Sequence, residues 1–344
     1  METIANLTPC AFRPLRIVLP GGSGQVGQAL ARHFTERGHQ VTVLTRGPYA
    51  APWQTVHWDG EQIGPWTEYL EGADVCINLA GRSVNCRYNA ANRRAIYDSR
   101  MRSTRLLGTV IAGLSEPPRV WMNASAATIY RRELDANGVD LPLDEATGDA
   151  GGNELSTKAV PTAERWSQRR GFSARVARDW ESVFFAAETP RTRKVALRSA
   201  IVLSPTPGSA FGVLSNLVRI SLGGRQGNGR QFVCWIHETD YARAIEFLIG
   251  REDIYGPINI VAPSPLTNRE FMAALRWAWD VPNGFPAPSL AIKLGALILR
   301  TEPELVLDSC RVVPGRLLEA GFNFDFPEWP EAAENLVRQW KCRE

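Results

Sequence analysis

The feature that most restricts the fold of this chain is Arg16-Ile-Val-Leu-Pro-Gly-Gly-Ser-Gly-Gln-Val-Gly-Gln-Ala-Leu-Ala-Arg-His-Phe, residues 16 to 34. A short apolar run, Ile17 to Leu19, meets glycines at 21, 22, 24 and 27, and an apolar pattern of helical spacing (Val26, Leu30, Phe34) follows at once. That order predicts strand, tight turn and helix. Glycine suits such a turn because its backbone angles oppose a Cβ and because a diphosphate must come close to main-chain N–H groups. The helix start then offers free N–H groups and the positive end of its dipole to an anion. The glycines satisfy both G-x-G-x-x-G and G-x-x-G-x-x-G, and Gly38-His-Gln-Val-Thr-Val-Leu-Thr-Arg46 supplies a second strand one helix later. A tight turn with no ligand is the competing reading of a lone glycine motif, and strand, glycines, helix and second strand together favour a dinucleotide site. Its candidate contacts are Gly21, Gly22, Ser23, Gly24, Gln25, Val26 and Gly27.

The end of the second strand selects between coenzymes. NAD sites place an acid there for the ribose hydroxyls, whereas a 2′-phosphate requires positive charge. This chain has Thr45 and Arg46, which favours NADP over NAD, unless Arg46 is an ordinary solvated arginine. Asp59, after the apolar Val56-His-Trp58, falls where an acceptor for the adenine amino group would sit; a turn former before Gly60 is the alternative. Ala73-Asp-Val-Cys-Ile-Asn-Leu-Ala-Gly81 reads as a buried strand with small residues at its carboxyl end. Leu79, Ala80 and Gly81 are therefore candidates for the wall against which the coenzyme lies.

Composition bounds the rest. The 344 residues, 44% hydrophobic, suit a large α/β domain with a smaller lobe. The net charge of +3, with no basic run and no zinc spacing, argues against nucleic acid and gives no metal site. Six cysteines without a C-x-x-C read as reduced thiols of a cytoplasmic protein, and no apolar stretch reaches membrane-spanning length. Residues 1 to 14 read as a flexible tail without the apolar core of a signal peptide, which leaves the sequon at Asn6 idle. The partner expected is a small-molecule substrate, with the protein a monomer or homodimer.

Further along, a long helix is expected over about 89–114, and Arg119 to Tyr130 gives a strand ending in small and hydroxyl residues. A buried strand follows at 196–203, an apolar helix through Val213 to Ile220, and a glycine-rich loop with two arginines at 223–230. Leu290 to Ile298 predicts a helix of the smaller lobe, with Trp329 and Trp340 beyond it.

These motifs together resemble the extended short-chain dehydrogenase/reductase superfamily, and within it the atypical epimerase-like or cell-division-inhibitor-like branch. The resemblance rests on Ile77-Asn-Leu-Ala-Gly81, Asp98-Ser-Arg100 with Thr104-Arg-Leu-Leu107, Ala124-Ser-Ala126 before Tyr130, and Arg178-Asp-Trp-Glu181. It continues through Leu197-Arg-Ser-Ala-Ile-Val-Leu203, the segment 229–237, Ile258 to Asn268 and the branch-specific block Arg311 to Phe322, and so covers about residues 15 to 327. It implies a Rossmann-like doubly wound parallel sheet over 15–204 plus about 231–262, and a smaller C-terminal α/β substrate lobe made of 205–230 and 263–344.

In the family at large a Ser or Thr, a Tyr and a Lys carry the chemistry, the last two as Y-x-x-x-K on one helix face, where the ammonium lowers the phenol pKa. This chain departs from that pattern: no tyrosine is followed four residues later by lysine. The two possible registers put Phe172 and Val176, or Ser173 and Ala177, at those places. Counting back from Tyr130 puts Ala126 at the hydroxyl position with Ser125 adjacent, and Arg100 stands where many relatives have an asparagine. The candidate catalytic groups are therefore Ser125, Tyr130 and Arg100, with Thr128 near them. Tyr130 is either a proton donor with a pKa depressed by an arginine or a packing residue. Arg178 and Arg230 are candidate substrate contacts, Arg178 for a carboxylate or phosphate unless it is a surface ion pair. Val233, rather than an arginine, falls at the pyrophosphate-clamp position of nucleotide-sugar relatives, which counts against that substrate class. The segment Gly151 to Gly171, with Lys158, is either a lid or a solvated insertion. His237 and Asp240 match a family element that joins the lobes, and a structural role is expected for the histidine.

Overall fold

The computed structural model describes residues 13–148, 150, 171–290, 292, 302 and 307–344. The strands are β1 (Arg16–Pro20), β2 (Gln40–Thr45), β3 (Gln54–His57), β4 (Val75–Asn78), β5 (Val120–Ala126), β6 (Arg193–Ser199), β7 (Ile201–Leu203), β8 (Phe232–Val233), β9 (Trp235–His237), β10 (Gly256–Ile260) and β11 (Leu266–Thr267). A seven-stranded sheet runs in the order β10-β6-β5-β4-β1-β2-β3, and every pairing in it is parallel. Its reversal lies between β1 and β4, so the crevice of a doubly wound sheet opens at their carboxyl ends.

The helices are α1 (Gln25–Glu36), α2 (Ala90–Gly113), α3 (Phe172–Ala186), α4 (Ala210–Arg219), α5 (Glu238–Gly250), α6 (Asn268–Ala278), α7 (Gly315–Glu319) and α8 (Trp329–Lys341). Strand alternation decides which helix covers which face. Ile17 and Leu19 of β1 join Val41, Val43, Val75 and Ile77 under Leu30 and Phe34 of α1 and Ile245 and Leu248 of α5. Val18, Leu44, Cys76 and Trp121 face the other way, onto Leu107 and Ile111 of α2 and Phe184 of α3. The sheet is buried on both faces, which is why its strands read as continuous apolar runs.

Three helix ends are fastened at the start of β6. Arg193 donates to the carbonyls of Leu248 and Ile254, Lys194 to those of Phe185 and Ala187, and Arg191, just before the strand, to that of Ser115. Cations there satisfy terminal carbonyls and favour the negative end of the helix dipole.

A second core gathers Phe211 and Val218 of α4, Trp235 of β9, Phe271 and Leu275 of α6, and Trp329, Leu336 and Trp340 of α8. Trp329 stacks on Phe271 at 4.1 Å. The expected helix at 290–298 lies almost wholly outside the described residues, as does the segment 151–170 with Lys158. Between the cores, buried His237 caps α5 by accepting the Thr239 amide, faces Asn335 of α8 across 3.2 Å and stacks on Phe326. Asp240 accepts the amides of Asp325 and Phe326 and pairs with Arg243. Both residues tie α5 to the C-terminal segment.

Candidate functional site

The elbow between β1 and α1 is built from glycines with different tasks. Gly21 has a left-handed φ of +76°, and a Cβ there would sit 2.6 Å from the Cα of Ala80. At Gly27 a Cβ would lie 2.4 Å from the Cα of Gly22, so this glycine lets α1 start against the strand. A Cβ on Gly24 meets only the Gly21 carbonyl oxygen, at 3.8 Å, so this position faces open space. Gly24 is also the N-cap of α1, with no side-chain cap and no acid in the first turn. The amides after it, from Gln25 and Val26, are left to an outside acceptor. Gln25 itself reaches the Val202 carbonyl, and Ser23 Oγ accepts from Thr45 Oγ1 at 3.0 Å, which ties the elbow to the end of β2.

Arg46 follows that strand end. It is exposed, and among the described residues no hydrogen bond or ion pair holds it. Asp59 is exposed too: its Oδ1 accepts the amides of Glu61 and Gln62, and these bonds hold its carboxyl below the usual range. The turn-forming role is therefore real, and Oδ2 is left outside those bonds. On the opposite wall Leu79 donates its amide to the Pro20 carbonyl and Ala80 donates to Asn78 Oδ1. Asn78 in turn donates to Asn123 and Thr104, a buried cluster that also takes the Trp180 indole N–H, so the wall is fixed from beneath.

Gly81 is open to solvent and lies under the guanidinium of Arg100, whose Cζ would be 3.1 Å from a Cβ there. Arg100 donates Nη1 to the carbonyls of Arg82 and Ile96 and stacks over Trp180 at 5.0 Å. Burial lowers its pKa to about 10, which leaves it charged at neutral pH.

Ser125 and Tyr130 do not face this cleft as free hydroxyls. Both belong to an internal network. Ser125 donates to Glu181 Oε1 at 2.6 Å, and Glu181 is gripped at both oxygens by Arg198, Nε to Oε1 at 2.9 Å and Nη2 to Oε2 at 2.8 Å. Arg198 Nη1 donates to the Tyr130 oxygen, and Tyr130 donates to Asn259 Oδ1, each at 2.8 Å. Asn259 continues the chain by donating its backbone N–H to Glu145 Oε1. The depressed phenol pKa considered for Tyr130 is corrected: burial raises it, outweighing Arg198. Thr128 is exposed beside the network, Ser173 is half-buried, and Phe172, Val176 and Ala177 are buried apolar residues, so neither register supplies the missing acid.

The ion pair of Glu181 with Arg198 was not singled out from the sequence. Its signal was available: a charge inside the apolar run Val195-Ala-Leu-Arg198, and another on the buried side of α3. Of the two substrate candidates, Arg178 lies half-buried on α3 and Arg230 is exposed in the loop before β8, and among the described residues neither guanidinium has a partner. No contact brings them together. A cavity of about 770 Å³ opens at the amino ends of β5 and β6, lined by Arg119, Arg191, Arg193 and Lys194. It lies at the opposite edge of the sheet from the glycine elbow, and its cations are occupied, Arg119 with Asp74 and Glu252 and the other three with carbonyls at helix ends.

The strand order and the elbow define the class, a Rossmann-like α/β protein. Residues 17–260 match the model of the NAD dependent epimerase/dehydratase family, and residues 287–336 match a domain of unknown function, DUF1731. The chain belongs to the NAD dependent epimerase/dehydratase family. It is 31% identical to the bovine epimerase family protein SDR39U1 over 94% of this chain and 100% of that protein. An epimerase family protein of Staphylococcus aureus MW2 is 28% identical over 94% of this chain and 99% of its own length. Among solved structures, human SDR39U1 (isoform 2) with NADPH superposes with a TM-score of 0.77 at 28% identity, covering 94% of this chain and 99% of that one. The nucleoside-diphosphate sugar epimerase of Corynebacterium glutamicum gives 0.68 at 26% identity, covering 95% of this chain and 59% of that one. Among the described residues no helix is long and apolar enough to cross a membrane, and no cluster of His, Cys, Asp or Glu is arranged to hold a metal ion.

Proposed function

We propose that this chain binds NADP(H) across the carboxyl ends of β1, β2 and β4 and acts as an epimerase-like oxidoreductase on a small organic substrate. The observation that carries the reading is the elbow. Gly21 and Gly27 are closed to any side chain by their neighbours, while Gly24 faces open space under uncapped amides. That is the shape a diphosphate needs. The NADPH bound by the human relative supports the choice of coenzyme, as does Arg46, unpaired among the described residues. Asp59 Oδ2 is the acceptor for the adenine amino group, and Leu79, Ala80 and Gly81 form the wall beside the nicotinamide half. Bound there, the coenzyme would supply hydride transfer. The chain's own part is to orient the ring against a rigid backbone and to hold charge at Arg100; the Tyr130 and Ser125 hydroxyls are spent on structure.

In the same reading residues 15–204 with about 231–262 carry the coenzyme, while 205–230 and 263–344, around the second core, cover the substrate. The protein is a cytoplasmic monomer or homodimer. Calorimetric titration with NADPH and NADH tests the coenzyme assignment. Arg46→Asp is expected to weaken NADPH at least about tenfold more than NADH, the worth of one charge-assisted contact. Equal loss for both would remove Arg46 from the site, and no heat with either coenzyme would remove the function.

A second reading, a non-catalytic NADP(H)-binding sensor or scaffold, is favoured by the engagement of Ser125 and Tyr130 in the internal network. Steady NADPH oxidation with any member of a panel of small carbonyl compounds decides against it; tight binding with no turnover decides for it. A nucleotide-sugar epimerase is third, since Val233 takes the place of the clamping arginine and leaves only Arg230 nearby.

A further inference from the structure

Four of the five arginines of α2 form two pairs that are treated oppositely. On the solvent side Arg94 and Arg102 both pair with Asp98. On the inner side Arg93 and Arg100 have no acid among the described residues, although burial makes an uncompensated charge most costly there. Arg93 is only 7% exposed, and among the described residues its Nε and Nη1 have no hydrogen-bond partner. Among the described residues Arg100 is engaged at Nη1 alone, by two backbone carbonyls. Two acids are bonded to neighbours of these arginines instead. Asp179 accepts from the Tyr97 hydroxyl, and Glu302 accepts the Tyr88 amide.

Residues seven apart on a helix lie on one stripe, separated by about 10 Å along the axis. Arg93 and Arg100 therefore form a line of positive charge on the inner side of α2. One end of that line rests on Gly81, at the wall assigned to the nicotinamide half of the coenzyme. The Arg100 fork is held rigid by its carbonyls and by Trp180. A planar cation so fixed, with Nε and Nη2 unused, is suited to a planar or tetrahedral oxyanion.

We propose that Arg100, reinforced by Arg93, is the anion-recognition site for the substrate, and that the substrate carries a carboxylate or a phosphate ester. This rests on the coenzyme reading above. It adds that the ligand beside the nicotinamide supplies the counter-charge the protein withholds.

The probes are inorganic phosphate and succinate, titrated calorimetrically at constant ionic strength into protein with and without saturating NADPH. Saturable binding of at least one anion is expected, weakened about tenfold or more in Arg100→Gln, as for loss of a charge-assisted contact, with NADPH affinity kept within about twofold. Arg93→Met gives a second readout: in anion-free buffer its thermal midpoint is expected to rise, because a buried charge without a partner has been removed, while its anion affinity falls. Unsaturable anion binding in the wild type, equal affinities in the variants, or a lowered midpoint for Arg93→Met would each overturn the proposal. So would a parallel loss of NADPH affinity, since the anion would then be the coenzyme's own diphosphate. A wild-type protein that takes up no NADPH refutes the coenzyme reading instead, and the titration without NADPH still judges the anion site.

Discussion

Removing Arg198 leaves Glu181 as a carboxylate in the interior with only the Ser125 hydroxyl for company. Both charged side chains are nearly closed to water, 8% exposed for Arg198 and 9% for Glu181, so neither gains much from solvent when its partner goes. Burial disfavours the charge on Arg198, but its hydrogen bonds and charge pairing with Glu181 more than compensate and raise its pKa. Breaking one side of such a pair costs about 3–5 kcal/mol. Arg198→Met and Glu181→Leu are therefore each expected to lower the unfolding free energy by that amount. The double variant replaces both charges with apolar groups of similar reach. It loses the Ser125 contact and the donor to Tyr130, each worth about 1 kcal/mol, and is expected to fall only about 2 kcal/mol below the wild type. Urea denaturation of the four proteins, followed by far-ultraviolet circular dichroism with the slopes compared, gives the cycle. A double variant at least about 4 kcal/mol more stable than the two single losses predict is the expected result. Additive losses would mean that Glu181 and Arg198 do not meet, and the account of why Ser125 and Tyr130 are withdrawn from the cleft would fall with them.

The elbow predicts a contrast between neighbouring glycines. Gly24→Ala is expected to leave the thermal midpoint unchanged and to weaken NADPH binding, because its Cβ enters open space that the diphosphate needs, whereas Gly27→Ala is expected to destabilise the fold by about 1–3 kcal/mol through overlap with Gly22. Thermal scans beside coenzyme titrations separate the two, and equal behaviour would show that the elbow is misread. Buried His237 has its pKa lowered by burial to about 4, so the folded state binds its proton more weakly than the unfolded chain does. Its contribution is complete above about pH 6.5 and is lost as pH falls towards 4, about 2 kcal/mol of it between pH 7 and 5. His237→Asn, which can keep the cap on α5, is expected to flatten that part of the stability profile; an unchanged profile would place the titration elsewhere.

The parts of the fold visible in the sequence are those set by short-range physics. Glycine spacing after Ile17–Leu19, the alternation that buries β1 on both faces, and the small residues after Asn78 each follow from what one strand or turn requires of its own residues. The fate of Tyr130 does not. Its partners Arg198 and Asn259 are 68 and 129 positions away, and only the pairing of β5 with β6 and of β6 with β10 brings them together. A charge inside β6 makes that position unusual, but it does not name the partner. Nothing in the local sequence separates buried Arg93 from its neighbour Arg94, because burial of a helix face is decided by what packs on it.

The edge strand β10 enters the sheet only after the chain has left it for the span between Ser199 and Gly256. During synthesis the nascent sheet must therefore wait for residue 260 to clear the ribosome before β6 acquires its outer neighbour. A chain halted at residue 204 would present β6 as a naked hydrogen-bonding edge beside an apolar surface, a template for self-association. Frameshifts and protease nicks within that excursion should thus produce insoluble fragments rather than a shortened coenzyme binder.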